Sequence, residues 1–63
     1  RDPAVALEAG NIAIVAGDDV NARKQWEQTI AIAPDSRQAV SAKAQLAALA
    51  AVTATPETEP QSR

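Results

Sequence analysis

GNIAIVAGDDVNARKQWEQTIAIAP, residues 10–34, decides how this chain folds, because two segments of helical spacing flank one tight break at Gly17-Asp18. Before the break the residues are mostly small or branched and apolar. After it Ala22, Trp26 and Ile30 recur every fourth position and therefore share one helix face. Two helices joined by so short a break run antiparallel. The stretch predicts an all-α chain built on a helical hairpin.

Working outward, Asp2-Pro3 opens the first helix: the carboxylate can accept from the free amides of the first turn, and Pro fits the first helical position. That helix is expected from about Pro3 to Ala16 and ends at Gly17, which takes the left-handed conformation without a Cβ penalty. Val5, Leu7, Ile12, Ile14 and Val15 point in several directions and few positions are polar, so this helix must be covered on more than one side. Asp18 or Asp19 caps the second helix, expected from about Asp19 to Ile32, with Ala22, Trp26, Thr29 and Ile30 inside. Arg23, Lys24, Glu27 and Gln28 face outwards, and Pro34 stops the helix.

Asp35, with Gln38 three residues later, resembles a capping box and predicts a third helix from about Ser36 to Ala50. Ala39, Ala42, Leu46 and Leu49 form its apolar stripe, so it can lie on the hairpin and present its other side to water. Residues 1–51 thus make one helical unit. Residues 52–63 read as a disordered Thr/Pro/Glu-rich tail, too poor in large apolar groups to repay the entropy of ordering.

Composition narrows the function. The 63 residues include no Cys and no His, so disulfides, soft-metal ligands, the usual general base and the best soft nucleophile are all missing. Asp18-Asp19 is better used as a cap, and the turn GDDVN lacks the spaced oxygen ligands of a calcium loop. The expectation is a non-enzyme with no metal and no cofactor. A net charge of −2 with interspersed signs provides no basic stripe, which argues against nucleic acid. No apolar run approaches the roughly 20 residues that span a bilayer. The chain begins at Arg1 without a recognisable leader, so it reads as a soluble piece of something longer, whose compartment stays open.

These residues resemble a tetratricopeptide repeat, whose pattern is W-x2-L-G-x2-Y, then A-x3-F, then P. Gly10 matches the glycine where the paired helices approach, Ala22 the small residue of the second helix, Trp26 the Phe, and Pro34 the closing proline. Ala6, Ala9 and Ala13 depart from the pattern, standing in place of Trp, Leu and Tyr. One period on, Ala44 and Ala47 occupy the glycine and tyrosine positions and Lys43 an apolar one, which fits a solvating terminal helix. The resemblance implies an α-α superhelix of which this chain is the C-terminal hairpin plus a capping helix.

It further implies a groove lined by the first helix, at Leu7, Glu8, Asn11, Ile14 and Val15, which binds a protein partner, either a peptide or an amphipathic helix. Asn11 stands where one subclass grips a C-terminal carboxylate, but Leu7, Gln38 and Ala42 replace the required basic residues, which argues against chaperone tails. The alternative is a structural or self-association role, the first helix packing on upstream repeats or on a second copy. Ala6, Ala9, Gly10, Ala13, Ala22, Trp26 and Ile30 are expected to hold the hairpin shut.

Overall fold

The structure, a computed structural model, describes residues 2–54. Three helices account for nearly all of them: α1 over Pro3–Val15, α2 over Asp19–Ile32 and α3 over Arg37–Ala54, with no strand among the described residues. The chain is all-α, as its sequence predicts.

Local chemistry sets the first two helices. The Asp2 carboxylate accepts from the Ala4 N–H at 2.9 Å, and Pro3 opens α1. At the other end Gly17 has φ +83°; its N–H donates to Ile14 C=O at 3.1 Å, and that of Asp18 to Ala13 C=O at 2.9 Å. This crossed pair satisfies two carbonyls that a helix end leaves free, and it needs the left-handed residue that Gly17 supplies. Asp18 then caps α2, accepting from the Asn21 N–H at 3.1 Å, while Asp19 sits inside the first turn near the positive end of the helix dipole. The bounds of α2 are those expected.

The third helix differs at both ends. Ser36, not Asp35, is the cap: its Oγ accepts from the Ala39 N–H at 3.0 Å and donates to Ala33 C=O at 2.7 Å. Asp35 stands one residue too early to reach those amides, and Gln38 then falls at the second helical position rather than the third, which breaks the capping-box spacing. At its C-terminus α3 continues to Ala54, four residues beyond the expected end and three into the stretch read as a tail. Val52 and Thr53 cost a helix only tenths of a kcal/mol each. The first residue that forbids helix is Pro56. The remainder of the expected tail, residues 55–63, lies outside the described residues.

The core forms where α1 and α2 approach. A Cβ on Gly10 would run into Cδ1 and Nε1 of Trp26, closer than real Cβ atoms come, so the missing side chain is what lets the indole lie flush on α1. Trp26 is 1% exposed, and Ala13, Ala22, Ala42 and Leu49 complete the cluster around it, with Leu7, Ile14, Ile30 and Leu46 along its half-buried edge. Ala6 and Ala39 are buried as well. Thr29 is the one buried polar residue among those described, and its Oγ1 donates to Gln25 C=O at 2.9 Å, so its burial leaves no hydroxyl unpaired. Of the residues expected to close the hairpin, Ala9 and Ile30 are only half-buried and the rest are buried. α3 lies mainly on α2 and touches α1 less.

Candidate interaction groove

Helical geometry divides the five groove residues read from the sequence. At about 100° per residue, Leu7 and Ile14 are seven apart and share nearly the same angle, while Glu8, Asn11 and Val15 are turned round the helix from them. The structure divides them otherwise, with Ile14 alone set apart. Leu7, Glu8, Asn11 and Val15 line a groove of about 590 Å³ along α1, joined by Ala4 and Ile12 and closed on one side by Gln38 of α3.

Ile14 is not part of this groove. It opens onto a second hollow of about 300 Å³ near the hairpin turn, between Asp19 of α2 and Gln45, Leu49 and Val52 of α3, with Trp26 at its floor. Leu7 and Ile14 both pack partly against the core. Of the other three, Val15 is 87% exposed, Glu8 is exposed and Asn11 is half-buried; Ile12, outside those five, is 63% exposed.

Ile12 and Ala4 were missed as groove residues, although their spacing carried the signal, since 4, 8, 11, 12 and 15 follow the three-and-four rule on one face. Gln38 has no such signal in the periodicity of α1; only the family resemblance set it with Asn11 and Leu7, and the docking of α3 puts it on the groove wall.

Asn11 has a structural partner as well as a place on the groove wall. The Trp26 indole N–H donates to its Oδ1 at 3.1 Å, which joins the middle of α2 to the middle of α1 and satisfies the one polar atom of a buried ring. Glu8 is exposed and is the only ionisable side chain lining the groove among the described residues. The surface therefore offers apolar contact from Leu7, Ile12 and Val15, an amide at Asn11, an amide at Gln38 and one negative charge.

No family model, curated protein or solved structure matches this chain. Its own geometry must carry the functional reading. Among the described residues no three His, Cys, Asp or Glu side chains gather in a way that could hold a metal ion, and no helix is long and apolar enough to cross a membrane.

Proposed function

We propose that this chain is a non-catalytic protein-interaction module of tetratricopeptide type, the terminal hairpin and capping helix of a longer array, which takes a peptide or amphipathic helix between α1 and the start of α3. The observation that carries this reading is the groove itself, which Leu7 lines together with the largely exposed Ile12 and Val15. Contiguous apolar surface held open on a small chain marks a contact site. The resemblance is supported by Gly10 and Trp26, which meet where the repeat pattern places its close helix approach.

The test is selection from a displayed library of random dodecapeptides against the whole chain and against an Ile12→Asp, Val15→Asp variant. Both positions are exposed, so helicity should survive. The wild type should enrich groove-binding peptides and the variant should not; equal enrichment by both, or none by the wild type, would refute the reading.

A second reading has its own observation. Val5, 65% exposed, and Ile12 lie at the same angle on α1, seven residues apart, so an apolar strip faces away from α2. Self-association, or packing on an upstream repeat, would cover it. Light scattering across a concentration series decides whether the chain dimerises, and Val5→Asp should return such a dimer to a monomer.

A further inference from the structure

We draw no further inference here: the strongest candidate, the apolar strip of Val5 and Ile12 on the outer face of α1, carries nothing because no feature of the structure shows what covers it.

Discussion

Replacing Gly10 with Ala should destabilise this chain, although Gly→Ala in a helix interior ordinarily stabilises by about 0.5–1 kcal/mol. The sign turns on Trp26. The new Cβ would meet Cδ1 and Nε1 of a ring that is 1% exposed and hemmed in by Ala13, Ala22, Ala42 and Leu49, so neither side can yield easily. Overpacking of this kind costs about 1–3 kcal/mol. Pushing the indole aside also strains its bond to Asn11, worth about 1 kcal/mol. Set against the propensity gain, the net loss is about 1–3 kcal/mol. A single core in a chain this short rarely supplies more than about 3–5 kcal/mol, so that loss is a large share of the total.

At about 4–8 °C per kcal/mol for a domain of this size, the melting temperature followed by circular dichroism should fall by about 4–24 °C. A double-mutant cycle locates the cause. In a Trp26→Leu background, where the indole edge is gone, Gly10→Ala should be neutral or mildly stabilising. A rise in melting temperature for Gly10→Ala alone would refute the close approach. An equal fall in both backgrounds would show that the obstruction is not Trp26.

Two further changes test the ends of the helices. Ser36→Ala should cost about 1 kcal/mol, because one hydroxyl both caps Ala39 and ties back to Ala33, while Asp35→Ala should stay within about 0.5 kcal/mol; the midpoints of urea unfolding compare them. Gly17→Ala should cost about 1–2 kcal/mol purely through backbone strain at φ +83°, since nothing lies within 4 Å of the added Cβ, and Gly17→Asn should cost less. An equal loss for Ala and Asn in thermal melts would contradict that cause.

The first two helices were legible in the sequence almost to the residue, because their ends are set by neighbours in the chain. Asp2, Pro3, Gly17, Asp18 and Pro34 each act within one turn of their own position. The start of α3 was harder for the same local reason, since Asp35 and Ser36 are both good caps and adjacent, and the choice depends on which one reaches Ala33 and Ala39 together. The end of α3 lies four residues beyond the Ala50 that composition suggests, because a loss of large apolar residues does not by itself stop a helix; a helix stops where the backbone forbids it or nothing supports it.

For the groove, the sequence determined which residues share a face of α1, as the helical repeat alone requires. It could not determine which part of that face α3 would cover. The placing of Leu7 and Ile14 against the core, the arrival of Gln38 beside Leu7, and the bond from Trp26 that orients Asn11 all join residues far apart in the chain. The reason is physical: helix caps and periodicity are short-range properties of a backbone, while the side of a helix that stays open to a partner is settled by how whole helices pack. Here that packing depends on an indole seated on a glycine.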